Sequence, residues 1–218
     1  MIDLHTHTLC SDGALVVAEL AQRAATVGYR ALGITDHVDP GTLRATFVPM
    51  RRTCEAIQPH TSLCLVPGVE ITHVAPPLIG STAKQARRLG ARLVVVHGES
   101  PVEPVPPGTN RAAVEADIDL LAHPGLIEQE TVRRAAERGV YLELSARAGH
   151  SLGNGRLVAL AREVGALDFL VVSSDAHAPS DLLTPPFRRI VCLGAGLSKA
   201  EAEQIERNAE TLWKKVAP

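Results

Sequence analysis

The sequence predicts an α/β protein built as a closed or nearly closed barrel of seven strand–helix units, and three observations carry that prediction. Short apolar runs without polar alternation recur along the chain, their endings about 23 to 33 residues apart, which is the size of one such unit. Between them lie segments with helical apolar spacing and a glycine stop. Nearly every apolar run ends on a side chain able to hold a metal ion. A parallel barrel gathers the residues at its strand ends on one face. An open doubly wound sheet would use a single crevice instead, so the barrel is the better fit.

The elements follow in order. "MIDLHTH" opens the chain and ends on His5 and His7. Residues two apart in an extended strand face the same side, so both imidazoles are presented together, with Asp12 arriving from the following turn. A helix over Leu15–Val27 sets Leu20, Ala21, Ala24 and Val27 on one stripe and stops at Gly28. "RALGITDH" ends on Asp36 and His37, and "SLCLVPGVEITH" carries Glu70 and then His73. A helix over Ser81–Leu89 stops at Gly90. "ARLVVVHGES" ends on His97 and Glu99, and the Pro-rich "ESPVEPVPPGTN" reads as a stiff loop at the site rather than a linker. "IDLLAHPG" ends on His123 and is followed by a helix from Glu128 to Arg138 with its stop at Gly139. "VYLELSAR" ends on Arg147, the one strand ending without a metal-capable side chain. "AGHSLGNG" reads as a substrate-side loop, with His150 expected in an exposed position, and leads to a helix over Leu157–Val164 ended by Gly165. "LDFLVVSSDAH" ends on Asp175 and His177, and in the last helix Ser198 and Glu201 form a capping box.

Composition narrows the function. At 218 residues and 45% hydrophobic content the chain suits one domain, residues 1–218, with a substantial core. The 22 Lys and Arg nearly balance the 24 Asp and Glu, and aromatic residues make up 3%, which disfavours a dedicated nucleic-acid track but leaves room for a small phosphorylated substrate. Cys10, Cys54, Cys64 and Cys192 show no metal-ligand spacing and read as reduced thiols. With no leader pattern and no apolar run of about 20 residues, the expectation is a cytoplasmic protein without a membrane span. There is no Gly-rich phosphate loop, and "HSLGNGR" lacks the spacing of a nucleophile elbow.

The chemistry therefore rests on the strand endings. His5, His7, Asp12, His37, Glu70, His97, His123, Asp175 and His177 form the candidate ligand set. So many polar groups packed together need a compensating charge. Nine ligands exceed the needs of one ion, so two to three are implied, and the His/carboxylate mixture suits Zn, Mn or Fe. Cys10 reads as a small thiol rather than a ligand.

"DLHTHTLCSDG", "ITDH", "PGVEI", "VVVHGE", "LAHPG" and "SSDAH", in this order, resemble the motifs of the PHP (polymerase and histidinol phosphatase) superfamily over Ile2 to about Pro179. The resemblance implies a distorted (β/α)7 TIM-like barrel with a trinuclear metal centre at its C-terminal face. It places His5, His7, Glu70 and Asp175 at one ion, Glu70, His97 and His123 at a second, and Asp12, His37 and His177 at the third. The reaction expected of such a centre is hydrolysis of a phosphate ester by a metal-bridged hydroxide. Glu70, Asp175 and His177 are the candidate catalytic residues, with Glu70 as the bridge and His177 helping to hold the ion that takes a phosphate oxygen. Arg147, His150 and Glu99 are the candidate substrate-binding residues, Arg147 as a bidentate grip on phosphate or, alternatively, a salt-bridge residue; Glu103 stands beside Glu99 as a further contact. The substrate expected is a small phosphomonoester of the histidinol phosphate kind. The alternatives are a phosphodiesterase or nuclease and a noncatalytic metal-binding module.

Overall fold

A run such as Leu93–His97 has no polar face, so it is stable only where both sides are covered. The computed structural model, which describes all 218 residues, covers them by closing the strands into a parallel barrel with helices outside. The strands are β1 (Ile2–Asp3), β2 (Ala31–Ile34), β3 (His37–Val38), β4 (Cys64–Ile71), β5 (Leu93–His97), β6 (Leu120–Ala122), β7 (Tyr141–Ser145) and β8 (Leu170–Ser173). The helices are α1 (Val17–Val27), α2 (Leu43–Ile57), α3 (Pro76–Leu89), α4 (Thr109–Glu115), α5 (Gln129–Arg138), α6 (Asn154–Val164), α7 (Pro185–Gly194) and α8 (Lys199–Val216). The strands follow the order β1-β2-β4-β5-β6-β7-β8, with β3 on β4, so β2 and β3 share one staple position and the barrel has seven. The ring closes between the first and last strands: Asp175 N–H donates to the His5 carbonyl (3.1 Å) and His7 N–H to that of Ala176 (2.9 Å).

Period-two alternation sorts each strand. Leu93 and Val95 of β5 point into the lumen, whereas Val94 and Val96 join the larger core between barrel and helices. Ile2, Ala31, Leu93, Leu120 and Tyr141 each begin a strand, and they pack with Ala209, Leu212 and Val216 of α8. That helix therefore covers the N-terminal mouth. Further along the same inward positions the character changes to Glu70, His97, Glu143 and Asp175, all buried. The lumen is apolar at its floor and ionisable at its top.

The helices expected before Gly28, Gly90, Gly139 and Gly165 all end there, and Ser198 and Glu201 make the expected capping box. Three more helices occur. In α2, Leu43, Phe47, Met50 and Cys54 form the buried stripe, but Pro49 lies inside it and obscures the pattern. The others are α4, only 7 residues long, and α7, which starts on Pro185 and Pro186. No helix is long and apolar enough to cross a membrane.

Gly33 marks a tight passage between β2 and the end of the first strand. A Cβ there would fall 2.6 Å from the Leu4 carbonyl oxygen. Gly33→Ala should therefore cost about 1–3 kcal/mol through overpacking, read as a lower urea midpoint at unchanged slope; an unchanged midpoint would mean that β1 moves aside freely.

Candidate metal centre

The first turn is built to deliver Asp12. Asp36 accepts hydrogen bonds from Thr8 N–H (2.7 Å), the Thr8 hydroxyl (2.8 Å) and the Ser11 hydroxyl (2.8 Å), holding the turn that follows His7. His37 lies in register with Glu70 across β3 and β4. His97 ends β5, and His123 and Asp175 lie just beyond β6 and β8 with positive φ (26° and 53°). Such backbone is costly for residues with a Cβ and persists only where the surroundings impose it.

All nine candidate ligands converge. Glu70 Oε1 lies 3.4 Å from His5 Nε2 and 3.6 Å from His123 Nε2, and Oε2 lies 3.6 Å from His7 Nε2. Asp175 Oδ1 is 3.3 Å from His7 Nε2, and its Oδ2 is 3.7 Å from His123 Nε2. Asp12 Oδ1 is 3.2 Å from His177 Nε2 and 3.5 Å from His37 Nε2. Among the sets whose donor atoms lie within 4.8 Å of one another are His5, His7 and Asp175; Glu70, His97 and His123; and His7, Asp12, His37 and His177.

The donor chemistry fits divalent ions. Both Glu70 oxygens are buried without a hydrogen-bond partner; His37 Nδ1 comes within 2.7 Å of Oε2 but is hydrogen-bonded to the Thr72 hydroxyl at 2.6 Å. His5 Nδ1 donates to Glu143 Oε1 (2.9 Å), which leaves a lone pair on Nε2, and that lone pair faces His7 Nε2 at 3.0 Å. Opposed nitrogens beside an unpartnered carboxylate are satisfied together by a cation. Burial works against ionisation of Glu70, but the facing His5 and His37 hold its pKa well below the usual carboxylate range. Asp175 goes the other way, raised by its burial. His177 Nδ1 lies 3.0 Å from the Asp175 carbonyl and 2.8 Å from Arg147 Nη1. Only the tautomer that donates Nδ1–H to that carbonyl leaves Nε2 free to ligate.

Arg147 forms part of the cavity wall, 35% exposed, and its nearest carboxylate contacts, to Asp175 and Asp181, are long at 3.9 and 4.0 Å. Two expectations need correction. His150 is buried rather than exposed: its ring stacks on His123 (4.2 Å between centroids) and its Nδ1 lies 2.7 Å from the Ser100 hydroxyl. Burial, with the neighbouring His123, pushes its pKa down to about 4, which favours the neutral imidazole near pH 7. Glu99 turns away from the cavity. Its Oε1 accepts from Asn110 N–H (2.8 Å) in the first turn of α4, because Asn110 Oδ1 in return accepts from Glu99 N–H (3.0 Å). Glu103, from the same loop, lines the cavity instead.

Glu143 went unnoticed in the sequence. It is fully buried, and its second oxygen accepts from His123 N–H (3.0 Å), so one carboxylate orients two candidate ligands. The available signal was a lone charge inside the apolar strand "VYLELS".

Residues 3–181 match the PHP domain family model. The chain belongs to the PHP domain family. An uncharacterized protein of Methanocaldococcus jannaschii is 41% identical to this PHP domain over 203 residues, 92% of each chain. Ribonuclease P protein component 3 of Methanosarcina barkeri is 27% identical over 205 residues, 88% of this chain and 79% of the relative. Among solved structures, a candidate histidinol phosphatase from Listeria monocytogenes superposes with a TM-score of 0.60 at 15% identity, over 84% of this chain and 97% of that one. At that identity the likeness speaks for the barrel alone.

Because Glu143 orients both His5 and His123, Glu143→Gln should weaken ion binding by about 10- to 100-fold, measured by chelator competition on folded protein. Unchanged affinity would reduce Glu143 to a structural carboxylate.

Proposed function

We propose that this PHP domain is a metal-dependent phosphoesterase acting on a small phosphomonoester, and that His5, His7, Asp12, His37, Glu70, His97, His123, Asp175 and His177 hold two to three Zn, Mn or Fe ions. The observation that carries the reading is the cavity over the centre. It measures about 380 Å³ and has no hydrophobic side chain in its wall, where six of the candidate ligands are joined by Arg147 and other polar residues, Glu103 and His150 among them. Bound divalent ions would lower the pKa of water and neutralise phosphate charge. The remaining work falls to the protein. Glu70 and Asp175 bring negative charge from opposite sides of the lumen, and Glu143 fixes the tautomer of His5. Arg147 lines the cavity without a close carboxylate partner; its Nη1 is engaged by the Asp175 carbonyl and His177 Nδ1, and the rest of the guanidinium is left for phosphate oxygens. The buried His123–His150 stack closes one wall. None of the four cysteines is paired, in keeping with a reducing, cytoplasmic setting.

A second reading is a nuclease or other RNA-directed role, favoured by the similarity to a ribonuclease P protein component. The near-neutral charge, −2 at pH 7, weighs against a long nucleic-acid track. The deciding experiment assays metal-replete protein on phosphomonoesters, phosphodiesters and short oligonucleotides across salt. Monoester turnover that changes little with salt is expected. Oligonucleotide cleavage falling steeply with salt would favour the second reading, and no hydrolysis by protein of confirmed metal content would overturn both catalytic readings.

Two substitutions test the roles. Glu70→Ala should lower turnover by on the order of a thousandfold or more with the fold intact; near-normal turnover at normal metal content would remove Glu70 from the mechanism. Arg147→Lys should lower kcat/KM by roughly tenfold, the scale of one charge-assisted hydrogen bond, without changing metal content. A Lys variant equal to wild type across the esters would leave phosphate binding to the metal centre alone.

A further inference from the structure

Three residues other than glycine have positive φ, and all three border the centre: His123 (26°), Asp175 (53°) and His73 (53°). The first two belong to the donor sets described above. His73 does not, yet its backbone is strained to the same degree as that of Asp175, and strain of this kind marks functional positions.

The His73 side chain is directed at Glu103. Its Nε2 lies 3.1 Å from Glu103 Oε2, and that same oxygen lies 3.0 Å from Nε2 of His97. The donor atoms of His73, His97 and Glu103 are all within 4.8 Å of one another. An exposed contact between a histidine and a carboxylate contributes too little to offset strained backbone, so the pairing of His73 with Glu103 calls for a stronger interaction nearby. His97 identifies it. Its Nδ1 is engaged with the Gly98 carbonyl (3.0 Å), which leaves only Nε2, and one lone pair serves one ion. An ion held by that nitrogen together with Glu70 and His123 would therefore have the Glu103 carboxylate within reach.

We propose that Glu103, oriented by His73, is an additional ligand, carried on a loop, for the ion that Glu70, His97 and His123 hold. The inference rests on the metal-binding reading of the centre. The loop is suited to the task. Pro101, Pro104, Pro106 and Pro107 stiffen it, Val105 N–H donates to the Glu103 carbonyl (2.9 Å), and the Ser100 hydroxyl pairs with His150 Nδ1 (2.7 Å). Little further ordering is needed for the carboxylate to reach an ion. In turn, the ion ties the loop down at the rim of the cavity.

The test is Zn²⁺ titration of chelator-stripped full chain against a chromophoric competitor, comparing wild type with Glu103→Ala, Glu103→Gln, His73→Ala and Glu99→Gln. One ion should lose affinity by about 10- to 100-fold in the Glu103 variants, by less in His73→Ala, and not at all in Glu99→Gln, whose side chain keeps its acceptor for Asn110. If Glu103→Ala does not fold, Glu103→Gln, which retains an acceptor for His73, carries the comparison. In parallel, Zn²⁺ should slow amide exchange at Val102, Glu103 and Val105 in wild type but not in Glu103→Ala. Wild-type affinities in both Glu103 variants would overturn the ligand assignment while leaving the metal centre standing. Wild type that binds less than one ion per chain would overturn the centre and the assignment together.

Discussion

Glu70 is a fully buried carboxylate with no hydrogen-bond donor on either oxygen. An ionised group in that position needs a positive partner, and the fold surrounds it with imidazoles able to hold a metal ion. His5, His7, His37 and His123 reach it from the ends of three strands, β1, β2 and β6, within 2.7–3.6 Å. Glu143 in turn sets the orientation of His5, and the Thr72 hydroxyl that of His37. The distribution of polarity along the strands follows from the same constraint. An ionisable layer can exist inside a barrel only where the lumen opens to solvent, so the apolar packing is confined to the other end and sealed there by α8.

Much of this was legible in the sequence because two signals coincide. Period-two alternation inside buried strands is weak evidence alone, but a run such as "LVVVHGE" that is apolar up to its last residue declares both a buried strand and the end at which chemistry lies. That coincidence placed all nine candidate ligands. Four of the five anticipated helices were readable from their glycine stops and the fifth from its capping box. Helix α2 was hidden because Pro49 breaks the local rule while tertiary packing of Phe47 and Met50 overrides it.

The features that escaped depend on side-chain direction. Glu99 and Glu103 are equivalent by composition and position in the loop; only the reciprocal pair with Asn110 turns Glu99 toward α4 and leaves Glu103 facing the histidines. His150 reads as an exposed histidine among glycines, and its burial against His123 arises from a contact between segments 27 residues apart in sequence. Glu143 sits in a strand whose ending drew attention to Arg147 instead. In each case the missing information was a non-local contact, which no spacing rule contains.

The seam where the barrel closes has a consequence for synthesis. The peptide groups that join the two ends of the sheet belong to His5, His7, Asp175 and Ala176, and three of these residues also supply the donor atoms gathered at the centre. Contacts spanning nearly the whole chain form late in folding. A ribosome-bound chain that has not yet released its eighth strand therefore carries most of the barrel but lacks the clasp that draws the imidazoles together. In such a chain His5 and His7 have no Asp175 to meet, so the candidate ligand set is complete only when the fold is.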